Sequence, residues 1–254
     1  MKRCIALLVA ALVLAGCGTT RRAGPTTPTT TVVPTTPAPK SCIAGQRPLG
    51  SARRAYVGVA PHGAVALRTP GGKVEARFAS KNVNDYPTVF GVVGKVVGRD
   101  CAARWYRVQL PMRPNGAVGY VSARALDIEP VTARIVVDIS ARRLTLYRAG
   151  RAVFAATVAV GSPATPTPTG RYYVNQRLIP EDATGPFGPA AIGISAFSNV
   201  LTGWTQGGPV AIHGTNEPWS IGHAVSNGCV RLPNATLSRL FRVAVAGTPV
   251  IIRA

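Results

Sequence analysis

Short segments in which apolar and polar residues alternate recur along most of the chain, and they predict strands. Trp105-Tyr106-Arg107-Val108-Gln109-Leu110 and Arg143-Leu144-Thr145-Leu146-Tyr147 place every second side chain on one face, the period of a half-buried strand. Ala64–Leu67, Thr88–Val93, Gly119–Val121, Ala133–Asp138, Arg151–Val160, Arg171–Val174, Pro209–Ile212 and Val250–Ile252 add apolar or β-branched runs of strand length. Turn residues punctuate them at Thr69-Pro70-Gly71-Gly72, Pro114-Asn115-Gly116, Ala149-Gly150 and Gly247-Thr248-Pro249. A helical period shows where Leu237, Leu240 and Phe241 follow Asn234, which reads as the N-cap. The expected fold class is therefore mainly β, with one or two short helices. Residues 175–207 hold no sustained period. They read as a long loop, a lid whose aromatic walls are Phe187, Phe197 and Trp204.

The N-terminus breaks this pattern. Lys2 and Arg3 precede ten apolar residues, Ile5 to Leu14. That run is far short of the roughly 20 residues that span a bilayer, and it has the form of an export signal. It ends in Leu14-Ala15-Gly16-Cys17, which looks like a bacterial lipobox with Cys17 as the lipidated residue. Residues 18–41 are mostly Thr, Pro, Gly and Ala, a composition that builds no core. Extended at about 3.1 Å per residue, they form a tether on the order of 70 Å long. The expected organisation is a signal peptide (1–16), a lipidated cysteine with a Thr/Pro-rich linker (17–41), a small β module (42–129) and a catalytic domain (130–254). The protein is expected outside the cytoplasm, lipid-anchored to the membrane.

Charge and cysteines narrow the picture. Lys and Arg number 29 against 9 Asp and Glu, a formal charge of +20. The basic residues are scattered, with no run of five and no aromatic-rich basic strand, so nucleic acid is not the expected partner; anionic polymers or headgroups are. Of five cysteines, Cys4 leaves with the signal and Cys17 takes the lipid. Cys42 and Cys101 are the natural disulfide pair in an oxidising compartment. Cys229 is left unpaired, a candidate nucleophile.

The chemistry concentrates around that thiol. Ile212-His213-Gly214-Thr215 and Ser226-Asn227-Gly228-Cys229-Val230-Arg231-Leu232 bring an imidazole, a thiol and a guanidinium within 19 residues. A free thiol is mostly protonated at neutral pH and needs a base to activate it. His213 is the expected base; His223 reads as a loop or rim residue and His62 as a solvated turn residue. Zinc on His213, His223 and Cys229 lacks a fourth ligand and a Cys-x-x-Cys pair, so no metal is expected.

Four motifs together resemble the YkuD-type L,D-transpeptidases. They are Asp138-x-Ser140-x-x-x-Leu144-x-Leu146-Tyr147, Thr167-Pro168-Thr169-Gly170, Ile212-His213-Gly214-Thr215 and Ser226 to Leu232, with 16 residues from His213 to Cys229. The order Trp105-Tyr106, turn, Gly119-Tyr120-Val121 resembles bacterial SH3-like modules. These resemblances imply a YkuD-like β-sandwich catalytic domain behind a small SH3-like β-barrel, cross-linking peptidoglycan stem peptides without a cofactor. They imply Cys229 as nucleophile, His213 as general base and acid, the Gly214 carbonyl orienting His213, and the Gly228 and Cys229 amides as oxyanion hole. Ser226, Asn227, Thr215 and Trp204 are the expected substrate contacts; Arg231 is expected to hold a substrate carboxylate or to order the active-site loop, with a purely structural salt bridge as the alternative. Asn227 stands where the family often has a second histidine. An L,D-carboxypeptidase and a catalytically weak wall-anchored binding protein are the alternatives.

Overall fold

The computed structural model describes residues 42–254; the expected signal peptide, Cys17 and the Thr/Pro-rich linker lie outside the described residues. Cys42 and Cys101 form a disulfide that ties the start of the described chain to the turn after β5. The first eight strands are β1 (Gly45–Pro48), β2 (Ala55–Val59), β3 (Ala64–Leu67), β4 (Val74–Phe78), β5 (Val89–Val97), β6 (Ala103–Gln109), β7 (Val118–Ser122) and β8 (Asp127–Val131). They make one sheet in the order β4-β3-β7-β6-β5-β2-β8, with β1 also on β5. Phe90, Val108, Leu110 and Val121 fill its core.

The second sheet follows at once. Its strands are β9 (Ala133–Asp138), β10 (Arg143–Arg148), β11 (Arg151–Thr157), β13 (Gly170–Leu178), β14 (Ala191–Phe197), β15 (Pro209–His213), β17 (Val230–Arg231) and β18 (Pro249–Arg253). Their order is β11-β10-β9-β18-β13-β14-β15-β17, while β12 (Val160–Gly161) and β16 (Ala224–Ser226) pair separately. The alternation in β9 and β10 is the cause of their burial pattern: Ile135, Val137, Leu144 and Leu146 are buried, and their neighbours are not. β13 serves two halves, pairing with β18 through Gly170–Tyr173 and with β14 from Val174 onward. The halves close on a common core that includes Leu237 and Leu240 of α1 (Asn234–Val243). At the far edges Ala159 and Arg231 exchange two backbone hydrogen bonds of 3.0 Å, so β17 does not end in open solvent. The fold is sandwich-like and mainly β, with one α-helix among the described residues.

Two local expectations are corrected. The segment 175–207 is not one long loop: β13 runs to Leu178, and β14 occupies Ala191–Phe197 with Ala191 to Ala196 all buried. Its small residues mislead, because they are there for close approach. A methyl group at Gly193 would lie 2.5 Å from Gln176 Cγ. Asn234 is not the helix N-cap either. Pro233 holds that position, without a side-chain cap, and the Asn234 carboxamide is engaged elsewhere.

The two sheets share an apolar seam. Val57, Val89 and Val131 belong to the core of the second sheet, and Gly247 packs so closely on Val57 that a Cβ there would come within 2.2 Å. Tyr173, fully buried, donates its hydroxyl to the Val89 carbonyl at 3.0 Å. The Asn115 carboxamide pairs with the backbone of Phe197 in both directions, at 2.7 and 2.9 Å. Removing the Tyr173 hydroxyl leaves a buried carbonyl unpaired, at a cost of about 1–3 kcal/mol. Tyr173→Phe is expected to lower stability by that amount in urea unfolding, with one cooperative transition retained.

Candidate active site

The site is made by strand alternation. Ile212 and Val230 are fully buried on the core side and pair in parallel register, as do His213 and Arg231. Their neighbours Ala211, His213, Cys229 and Arg231 therefore share the opposite face. The Ala211 N–H donates to Cys229 Sγ at 3.4 Å, and Cys229 is a free, partly exposed cysteine. His213 is only 4% exposed, and its ring meets Phe187 edge-on with centroids 5.0 Å apart.

His213 Nδ1 lies 2.6 Å from the Gly214 carbonyl. A carbonyl only accepts, so Nδ1 carries the proton and Nε2 holds the lone pair. Burial pushes the imidazole down to about 4, against the opposing Gly214 bond, and Arg231 adds to the depression. Burial pushes the Cys229 thiol up, while the Ala211 N–H and Arg231 pull the other way. At neutral pH the thiol and the imidazole are thus both uncharged at rest.

The turn that carries the thiol is held from within. Gly228 has φ +107°, a conformation that demands glycine. Ser226, 1% exposed, donates its hydroxyl to the Cys229 carbonyl at 2.6 Å and accepts the Gly228 N–H at 3.1 Å. Behind it, the Ser162 N–H and the Thr165 hydroxyl both reach the Ser226 carbonyl at 2.9 Å, so the Thr-Pro loop backs the turn.

These bonds show what several of the expected site residues touch. The Gly228 amide is engaged by Ser226, while the Cys229 N–H has no acceptor among the described residues. Ser226 and Thr215 are buried, and the Thr215 hydroxyl accepts the Glu217 N–H at 2.9 Å. Arg231 is ion-paired to Glu217, so its guanidinium is not an open fork for a substrate carboxylate. Trp204 is exposed in the loop between β14 and β15, five residues before the strand begins at Pro209. Asn227 and His223 are exposed.

Two functional side chains escaped sequence reasoning. Asn234 Oδ1 accepts the Thr215 N–H at 2.8 Å and so fixes the loop after His213. It fits only because position 214 is glycine: a Cβ there would come within 2.3 Å of that oxygen. Glu217 neutralises Arg231; its one signal was a rare carboxylate four residues after His213 in a strongly basic chain.

With the geometry in hand, similarity can be placed on it. The sequence profile of the YkuD family, an L,D-transpeptidase catalytic domain, matches residues 132–252. The YkuD protein of Bacillus subtilis strain 168 is 37% identical over 149 residues, 56% of this chain and 83% of that protein. The YkuD protein of Bacillus licheniformis is 36% identical over 119 residues, 47% of this chain and 64% of that protein. Among solved structures, an L,D-transpeptidase from Mycobacterium smegmatis superposes with a TM-score of 0.38 at 20% identity, covering 59% of this chain and 78% of that one.

The depressed imidazole has a consequence for folding. Below an unfolded value near 6.5 the unfolded chain takes up a proton that the folded protein refuses until about pH 4. The His213 contribution is therefore neutral above pH 6.5 and destabilising as pH falls, reaching about 3 kcal/mol at pH 4. In urea unfolding across this range, His213→Gln is expected to flatten the acid loss of stability by that amount relative to the unchanged protein.

Proposed function

The chain belongs to the YkuD family of L,D-transpeptidase catalytic domains, and from that premise we propose that it is a cysteine acyltransferase that forms 3→3 cross-links between peptidoglycan stem peptides. The observation that carries the reading is the shared face of Cys229 and His213, with Nδ1 tied to Gly214 and Nε2 left as the base.

The first half-reaction is acyl transfer to sulfur. His213 Nε2 takes the Cys229 proton as Sγ bonds to the carbonyl carbon between the L-centre of a diamino acid and the terminal D-Ala of a tetrapeptide stem. Because both groups rest uncharged, thiolate forms only as attack proceeds, and the imidazolium holds the proton for the next step. The oxyanion meets the Cys229 N–H. The C–N bond then breaks, and D-Ala leaves with the proton from His213.

The second half reverses the roles. The side-chain amine of a neighbouring stem adds to the thioester carbon and loses its proton to His213. The C–S bond breaks, and that proton returns to Sγ. The amide energy held in the thioester drives the new amide, so no nucleotide is consumed. Arg231, neutralised by Glu217, stands as an oriented dipole beside the pair.

The test is incubation with a tetrapeptide stem, followed by intact-mass and product measurement. A thioester adduct minus D-Ala and a cross-linked dimer are expected. Cys229→Ala is expected to abolish both, and His213→Gln to slow acylation by about 10²–10⁴. Release of D-Ala without dimers would make the protein an L,D-carboxypeptidase, and no adduct would sink the enzyme reading altogether.

We also propose that Cys17 is lipidated and anchors the enzyme to the cell membrane, facing the wall, on the strength of Lys2, Arg3, the Ile5–Leu14 run and Leu14-Ala15-Gly16-Cys17. Cys17→Ala is expected to move the protein from the membrane fraction to the soluble fraction after detergent-free lysis.

A further inference from the structure

The outer face of the second sheet continues past the thiol. Cys229 sits beside Ala211, Ala211 pairs with Gly193, and Gly193 pairs with Gln176. All are on the face opposite the buried core residues, so one row runs from Cys229, just before β17, across β15 and β14 to β13. At about 4.8 Å per strand, the row spans roughly 14 Å. The Gln176 side chain folds back along it: a Cβ on Gly193 would lie 2.5 Å from Gln176 Cγ and 2.8 Å from its Nε2.

The orientation of Gln176 is set from the first sheet. Its Oε1 accepts the carboxamide N–H groups of Asn82 and Asn84, at 2.8 and 2.9 Å. With the oxygen consumed, the NH2 end is left as the free donor, lying over Gly193. A cavity of about 440 Å3 lies here, between the 77–89 segment of the first sheet and β13 to β15. That volume lies within the range of roughly 300–1,000 Å3 that small ligands fill. Asn175, the extra residue where the β13–β14 register shifts, lines the same cavity and carries a buried side-chain oxygen with no partner. Arg77 lines it too, exposed and without an ion pair among the described residues. The cavity reaches Pro209, two residues along β15 from Ala211, or about 7 Å.

Direction follows from the chemistry. The leaving amine and the entering amine must both exchange a proton with His213, so both occupy the His213 side of Cys229. His213 is two residues beyond Ala211 along β15, and Pro209 is two residues before it. The acyl part that stays on sulfur must run the other way, toward the cavity. A free N–H donor, an unpaired buried acceptor and an unpaired guanidinium suit a peptide backbone that ends in or carries a carboxylate.

We propose that the cavity between the two sheets is the subsite for the retained acyl chain of the donor stem, in which Gln176 donates to a peptide carbonyl, Asn175 accepts a peptide N–H and Arg77 takes a carboxylate. The first sheet is then part of the substrate site, although it lies outside the family-matched span. This rests on the cysteine acyltransferase reading.

The test compares two rates at Cys229 in the purified protein: acylation by a tetrapeptide stem, and alkylation by iodoacetamide, which is too small to use the cavity. Arg77→Ala, at an exposed position, and Gln176→Met, of similar shape, are each expected to slow stem acylation about tenfold. Alkylation is expected to stay within about twofold. A donor shortened to remove the carboxylate is expected to react equally with the unchanged protein and Arg77→Ala. Unchanged stem acylation in both variants would overturn the subsite and leave the enzyme reading intact, as would a parallel loss of alkylation in Gln176→Met with Arg77→Ala unaffected. If the unchanged protein takes no acyl group from the stem, the enzyme reading itself fails.

Discussion

Two residue pairs hold this site together: Ile212 with Val230, and His213 with Arg231, in parallel register between β15 and β17. β17 is only two residues long, too short to persist by its own hydrogen bonds. It stays because Val230 and Leu232 are fully buried, and because Ala159 bonds Arg231 from the other side. Burial of the apolar pair decides which way Cys229 and His213 face. A slip of one residue would turn the thiol into the core.

Electrostatics at the site follow from that placement. Desolvation dominates both reacting groups, driving the imidazole down and the thiol up. The nearby guanidinium opposes the thiol's rise, but it is answered by Glu217 and does not force an ion pair at rest. A neutral thiol is also a slow target for oxidants, since the thiolate is the reactive form. The same burial that keeps His213 uncharged thereby guards the thiol of Cys229.

Much of this was legible in the residues. The alternation in β9 and β10 has a single buried face, so period and structure agree. Cysteine pairing isolated Cys229, and the Cys42–Cys101 bond is present. The Gly214 carbonyl sits where the resemblance implied. What was not legible lies where one residue answers to a distant one. Gly193 and Ser195 look like loop residues, yet they are small because Gln176 and the Tyr173 backbone press on β14. Asn234 has the local look of a cap, but its oxygen serves Thr215 across 19 residues of chain. Ser226 and Gly228 stand where a substrate contact and an oxyanion donor were expected, and they bond to each other instead. Periodicity reports which face is buried; it carries no information on which partner a polar group finds in three dimensions.

The seam between the sheets bears on what counts as a unit of this protein. The span that matches the family begins at residue 132, yet Val57, Val89 and Val131 lie inside the same core as Tyr173 and Val250. Cutting the chain at the edge of recognisable ancestry would strip a wall from that core and leave Tyr173 facing water. The family-matched span is packed against its neighbour, so the two halves share one core. A change of side-chain size at Val57 has to be met at Gly247, on the other side of the seam, where there is no side chain left to shorten.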